Sequence, residues 1–366
     1  MPILETIVVS DFRNIALQDL EFSPNINCIS GNNGEGKTNL LDAIYYLSMT
    51  KSAFGTQDKY NFRHGTEAFS IAGTYLMHNG LQSKFALQVT TKGEKKIKRD
   101  DKQYSKISEH IGVLPVVLVS PYDSTLVSDS GEERRRFINS VLSQMDREYM
   151  ASLQQYNRLL LQRNRMLKED YPDKDYLSVI DIRMSALSIP IYNMRKEFAE
   201  ALSPVVSSFY KTLSDGSESV SIEYDSQLEK ASLAELLDQS FEKDRVFKYT
   251  TVGIQRDDFN FLMDGHPIRR CGSQGQQKSF LLSLKLAQYE IMRENYGFPP
   301  LLLLDDAFDK LDMTRVANLL KMVTSNDFGQ IFITDSNKVR MAGIVDRLTA
   351  DRVYFETHAG VFTKIE

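Results

Sequence analysis

Cysteine is almost absent from this chain. Cys28 and Cys271 are the only two in 366 residues, too few for a disulfide framework, and that scarcity suits a reducing compartment. No apolar run approaches the roughly 18 residues that a membrane-spanning helix needs. No membrane partner is therefore expected. The opening Met1-Pro2-Ile3-Leu4-Glu5 carries an early acid and no basic stretch, so a secretory signal is not expected and a cytoplasmic location is. The five histidines show no metal-ligand spacing, and neither internal repeats nor low-complexity linkers are evident. An excess of positive charge is missing as well: 44 Lys and Arg face 49 Asp and Glu, a net charge of −5. Such a chain does not attract a polyanion along its whole surface, so any nucleic-acid binding needs a local basic face, a particular ligand state or a partner.

What is present is an ordinary globular composition, 42% hydrophobic and 25% charged, which excludes collagenous and disordered classes. At roughly 150 residues per domain, the length fits two domains or one large domain with an insertion. The first third reads as short β-branched or aromatic runs bounded by Gly, Asn, Ser or Pro: Thr6–Val9, Ile26–Ser30, Phe69–Tyr75 and Phe85–Thr90. After Lys37-Thr38, apolar residues at Leu40, Leu41, Ile44, Tyr45 and Leu47 take helical spacing. From Gly131 to about Asp170 the apolar positions step by threes and fours, predicting one long amphipathic helix that Pro172 ends. A second helical pattern runs from Tyr176 to Leu213, and Pro190 and Pro204 are expected to kink or split it. Ser214 to Ser217 marks a turn, and Leu233–Val246 a shorter helix. The last third predicts helix Gln276–Met292, buried strand Leu301–Leu304, helix Thr314–Ser325, strand Gln330–Thr334 and a terminal hairpin of Val353–Glu356 with Val361–Lys364. Strand and helix alternate here, which argues for parallel pairing under packed helices.

The strongest chemical signal is Gly31-Asn32-Asn33-Gly34-Glu35-Gly36-Lys37-Thr38, a P-loop pattern in the strand–loop–helix context it needs. Glycines let consecutive N–H groups curl around phosphate oxygens, and the helix that follows adds its positive end. Lys37 is expected on the β- and γ-phosphates of a nucleoside triphosphate, and the Thr38 hydroxyl on Mg²⁺. A second signal is the apolar run Leu301–Leu304 ending in Asp305-Asp306. Asp305 at a strand's end suits Mg²⁺, and Asp306 suits a general base that polarises the attacking water. The third is Gly272-Ser273-Gln274-Gly275-Gln276-Gln277 at the start of a helix. A serine N-cap before a glutamine-rich face explains it in isolation. Beside the P-loop, a composite site is more economical, with Ser273, Gln274 and Gly275 of one subunit closing on ATP held by another.

With Leu311-Asp312 added, the set resembles the ABC-type ATPase heads of the SMC and Rad50 class, most closely the RecF family of bacterial DNA-repair proteins. The resemblance covers most of the chain. It runs through Phe12-Arg13-Asn14, Asn39–Ile44, Ser120-Pro121, Glu133–Phe137, Arg256-Asp257-Asp258, Ser273–Gln277 and Leu303–Asp306. It departs at Ile254-Gln255, where the family commonly has Pro-His, and at Thr334-Asp335-Ser336, which lacks a switch histidine. The resemblance implies an α/β fold: an ABC-type P-loop head with a mixed sheet and an inserted α-helical arm. Residues 1–120 would carry the P-loop part of the ATPase lobe, 121–250 the arm, and 251–366 the signature and the Asp305 strand. It implies ATP and Mg²⁺ as cofactors, Arg13 and Asn14 close to the nucleotide, and an ATP-dependent homodimer on double-stranded or gapped DNA. It also implies RecR and RecO as partners, RecA indirectly, roles in replication, gap repair and the SOS response, and at most a weak DNA-dependent ATPase.

Other charged features read more simply. The run Lys92 to Arg99, with Lys102 and Lys106, can follow a phosphate backbone, but a lysine-guarded strand edge is the default. Arg134–Arg136, Arg158, Arg163, Arg165 and Lys168 are expected on wet helix faces. In Asn337-Lys338-Val339-Arg340, Arg340 replaces the acid of a guanine-reading motif, so adenine is expected. Two competitors remain, a transporter ATPase subunit and an SMC-like structural clamp with negligible turnover. The helical insert is far too long for the first, and kinetics separates the second.

Overall fold

This computed structural model describes every residue except 55–56, 170–172, 215–217, 309–314, 317, 320–327, 338–350 and 366. Leu311-Asp312, most of the helix expected at 314–325, Lys338, Arg340, Pro172 and most of the turn after Ser214 therefore lie outside the described residues. Packing divides the chain into two compact units: Met1–Asp123 with Thr212–Asp215 and Leu281–Glu366, and Ser124–Lys211 with Gly216–Phe280.

The first unit opens with β1 (Ile3–Phe12), β2 (Ile15–Glu21), β3 (Ile26–Ser30), α1 (Lys37–Met49), β4 (Ala68–Leu76), β5 (Gln82–Thr90), β6 (Lys95–Arg99), β7 (Lys102–Gln103) and β8 (Val116–Val119). An antiparallel sheet forms in the order β2-β1-β4-β5-β6-β7. Its strands alternate buried and exposed positions, as in β4, because one face covers the core and the other meets water. Strand β3, in contrast, is buried at every position and belongs to a second sheet. Helix α1 packs on strands of both sheets, which is why Leu40, Leu41, Ala43, Ile44, Tyr46 and Leu47 are all buried. Phe12, Tyr46, Phe62 and Phe69 meet edge to face beside it.

The second unit begins with α2 (Thr125–Ser128), α3 (Gly131–Met145), α4 (Arg147–Met166) and α5 (Lys174–Ser214). The single helix expected from Gly131 to Asp170 is thus two. Asp146 takes extended backbone between them, and its carboxylate caps α4 by accepting from Tyr149 N–H at 2.6 Å. The apolar spacing carries on across this break and conceals it. Helix α5, by contrast, contains both Pro190 and Pro204 without being split. Each proline forfeits one N–H bond, while buried Ile191, Leu202 and Val206 hold the flanking turns against the core.

Strand β9 (Val220–Asp225), α6 (Leu233–Phe247), β10 (Asp258–Met263), β11 (His266–Pro267) and α7 (Ile268–Cys271) follow. The sequence division placed residues 251–280 with the C-terminal part; they group with the second unit because β10 pairs along the whole length of β9. The expectation of wet helix faces holds at Arg158, Arg165 and Lys168, which are exposed, and fails at Arg134 and Arg163. Arg134 is buried and grips Asp258 through two bonds of 2.8 and 2.9 Å. Arg163 is fully buried, bonded to Asp181 and Asp244 at 2.7 Å each. Arg195 reaches Asp257 at 2.7 Å and the Ile254 carbonyl at 2.8 Å. A long guanidinium can thread the core when fixed oxygens receive its N–H groups. Arg136 alone of the 134–136 run keeps the expected exposed face, pairing with Glu132 and Glu133.

Helix α8 (Gln274–Tyr296) leads to β12 (Leu301–Leu304), β13 (Ile331–Asp335), β14 (Arg352–His358) and β15 (Val361–Ile365). These complete the second sheet of the first unit, ordered β15-β14-β3-β13-β12-β8. Its strands run parallel except β15, which forms the terminal hairpin with β14. The mixed sheet and the helical insertion are the expected class. No helix among the described residues is long and apolar enough to cross a membrane.

Candidate functional site

In a parallel sheet, ligands collect beyond the carboxyl ends of the strands. Here β3 runs into the Gly31–Gly36 loop, β12 into Asp305-Asp306, and β13 lies between them. The loop demands glycine at Gly36, whose φ is 113°. A Cβ there would lie 2.7 Å from the Asn14 side chain. Helix α1 starts at once, with neither an acid in its first turn nor a side-chain cap on its first N–H groups. Those donors and the helix dipole are available to an anion. Lys37 is almost completely buried, and its ammonium folds back to donate to the carbonyls of Gly31 at 2.8 Å and Asn32 at 3.0 Å.

Thr38 and Asp305, 267 positions apart in sequence, touch: the threonine hydroxyl donates to the carboxylate at 2.9 and 3.0 Å. Thr334 on β13 donates to the same carboxylate at 2.7 Å and accepts from Asp306 N–H at 3.0 Å. Burial pushes the Asp305 carboxyl up to about 6, helped by the neighbouring Asp306 charge and opposed by both threonine hydroxyls and Lys37. Asp306 adopts left-handed backbone, φ 43°, which places the second acid in a conformation that costs energy for a residue with a Cβ. A hydroxyl beside a buried carboxylate is a hard-oxygen donor set that fits Mg²⁺. The uncapped helix end, Lys37 and the glycine loop fit a triphosphate.

Arg13 and Asn14 meet the P-loop region from the turn between β1 and β2. Arg13 is tied to buried Asp42 at 2.6 Å, to Asn39 at 3.1 Å and to Asn61 at 3.2 Å. Burial pushes the Asp42 carboxyl up while Arg13 pulls it down. Asn14 donates to the Glu35 carbonyl at 3.2 Å and accepts from Asn39 at 2.7 Å. Both residues therefore brace the loop and the first turns of α1. In the second unit, Ser273 caps α8 reciprocally: Gln276 N–H donates to its hydroxyl oxygen at 3.2 Å, and Ser273 N–H donates to the Gln276 side chain at 2.7 Å. Ser273 and Gln274 are exposed.

The fold is shared with known proteins. Residues 3–358 match the family described as the RecF/RecN/SMC N terminal domain. The chain belongs to that family. The DNA replication and repair protein RecF of Bacteroides thetaiotaomicron is 41% identical over 364 residues, 99% of either chain. A solved structure of the recombination mediator protein RecF-ATP in the RecFOR pathway superposes with a TM-score of 0.91 at 30% identity, covering 100% of this chain and 98% of that one. An Smc head domain from Pyrococcus furiosus, solved with the C-terminal domain of ScpA, shares the fold at a TM-score of 0.58 and 16% identity, over 100% and 96% of the two chains. The fold is thus that of a RecF and SMC-type ATPase head. Sequence reasoning passed over Thr334 as a carboxylate partner and the 357–360 hairpin tip beside the P-loop; no local motif marks either, because sheet register brings them there.

Proposed function

We propose that this chain is an ATP-controlled DNA-binding protein of recombinational repair and replication, acting in the cytoplasm. The observation that carries the reading is the Thr38–Asp305 contact beside Lys37, joined to the names its full-length relatives bear. Lys37 and the N–H groups of residues 31–38 bind the triphosphate of ATP, and Thr38 and Asp305 hold Mg²⁺, which neutralises phosphate charge. Asp306 receives a proton from water during a slow hydrolysis. Ser273, Gln274 and Gly275 of a second copy cover the nucleotide from the other side, so that ATP joins two heads on duplex or gapped DNA and its loss releases them. RecO and RecR are the partners in this reading, with RecA loading and the SOS response downstream.

Sedimentation with and without ATP and gapped DNA tests the cycle. Ser273→Arg is expected to bind ATP as the native chain does and to sediment as a monomer. If that variant still pairs with ATP, the composite site is wrong. The lack of a histidine at Thr334-Asp335-Ser336 favours one second reading, a nucleotide-gated structural clamp with negligible turnover. DNA retention on ATP without phosphate release would decide for it.

A further inference from the structure

An acid in a phosphate-binding loop is electrostatically unwelcome, and Glu35 needs another reason for its place. Its side chain turns to the tip of the C-terminal hairpin. The carboxylate accepts from Ala359 N–H and pairs with His358 Nδ1 at 3.2 Å. Its backbone carbonyl receives more: Gly360 N–H at 2.8 Å, the Thr357 hydroxyl at 3.3 Å and the Asn14 amide at 3.2 Å. Close approaches dictate glycine at Gly31, against the hairpin, and at Gly360, against the Asn14 turn that braces the loop. A Cβ on Gly31 would sit 2.7 Å from the Thr357 carbonyl oxygen, and one on Gly360, at φ 82°, would sit 2.4 Å from the Asn14 carbonyl oxygen. The register supports this, since β14 runs beside β3 up to Glu356 opposite Ser30, one residue before the loop.

We infer that the hairpin tip Thr357–Gly360 is a latch that fixes the P-loop in its phosphate-binding curl, with Glu35 as the residue it grips. The physical route is the peptide plane between Glu35 and Gly36. The peptide is trans, so a carbonyl anchored on the hairpin points the Gly36 N–H the opposite way, away from the hairpin. A loop held in this manner does not spend binding energy on ordering when phosphate arrives. Glu35, Thr357 and Gly360 are therefore positioning residues, and the C-terminal hairpin is part of the nucleotide site rather than a sheet edge alone. The inference rests on the reading of this loop as the ATP site.

The test is calorimetric titration of the full-length protein with ATP and Mg²⁺, beside its unfolding midpoint without nucleotide. Loss of the side-chain grip in Glu35→Ala is expected to weaken ATP about tenfold, and Glu35→Gln, which keeps an acceptor for Ala359 N–H, only about threefold. The midpoint of both should stay within about 2 °C of the native chain. Gly360→Ala, strained and clashing, should weaken ATP further. Lys37→Ala is the control for the site itself. If it loses ATP while Glu35→Ala and Gly360→Ala bind at native strength, the latch is refuted and the site stands. An affinity loss in Glu35→Ala that only tracks a fallen midpoint also refutes the latch. If Lys37→Ala binds ATP normally, the nucleotide reading fails and takes the latch with it.

Discussion

The arginine clusters of the second unit and the P-loop site of the first use buried charge in opposite ways. In the second unit, Arg134, Arg163 and Arg195 are buried against Asp258, Asp181, Asp244 and Asp257, and their carboxylates also hold backbone and hydroxyl groups in place. Asp244 alone accepts from Arg163, from Ser240 at 3.2 Å, and from Thr251 through N–H and hydroxyl at 2.9 and 2.7 Å. In the first unit the buried pair at the site is unlike this: Lys37 rests on loop carbonyls, and Asp305 on two hydroxyls with a second acid next door. Burial of a charge does not by itself mark function. A charge matched by opposite charge builds the scaffold, whereas one left with only neutral dipoles is kept for a ligand.

The sharpest way to break this comparison is to delete one buried acid from each unit. Asp244→Ala strands Arg163 beside a single carboxylate and is expected to cost about 3–5 kcal/mol in chemical unfolding. Asp305→Asn should act with the opposite sign. The Asp305 carboxyl titrates at about 6 against an ordinary 3.8, so the folded chain binds that proton more tightly and bears a penalty once it is lost. Above pH 6 the variant should be more stable than the native ligand-free chain by about 2–3 kcal/mol, the gain fading between pH 6 and 4. Mg²⁺-dependent ATP binding should fall in the same variant. Equal signs from the two deletions would overturn the distinction.

The smallest effect concerns surface charge. Of the basic run, Lys95 is occupied by Asp58 at 2.8 Å and by the Thr50 carbonyl, and Lys96 and Arg99 lie by Glu94 and Asp100. Lys98 and Lys102 are exposed on β6 and β7. If they meet phosphates, Lys98→Ala and Lys102→Ala should each lower the salt slope of ATP-dependent DNA binding by about one, with the unfolding midpoint of the protein unmoved. An unchanged slope would leave them as guards of a sheet edge.

The P-loop, the Leu301–Leu304 strand with its two acids and the Ser273 cap were legible because each is a short stretch whose chemistry is spelled by neighbouring residues. The arginines were misread for the opposite reason. Periodicity places Arg134 and Arg163 on helices, but does not show that β10, α5 and α6 cover these arginines with aspartates. The α3–α4 break escaped notice because Asp146 interrupts the backbone and not the apolar rhythm.

Sequence alone determined the chemistry on offer: which loop can curl round phosphate, which helix can cap an anion, and which strand ends in carboxylates. These follow from residue type and local spacing, since φ, dipole and side-chain charge act within a few bonds. Only the tertiary structure decided which of these meet. Thr38 finds Asp305, Thr334 bridges the two acids, and a hairpin from the far end of the chain closes on Glu35, because parallel strands align residues hundreds of positions apart and sheet register carries no local mark.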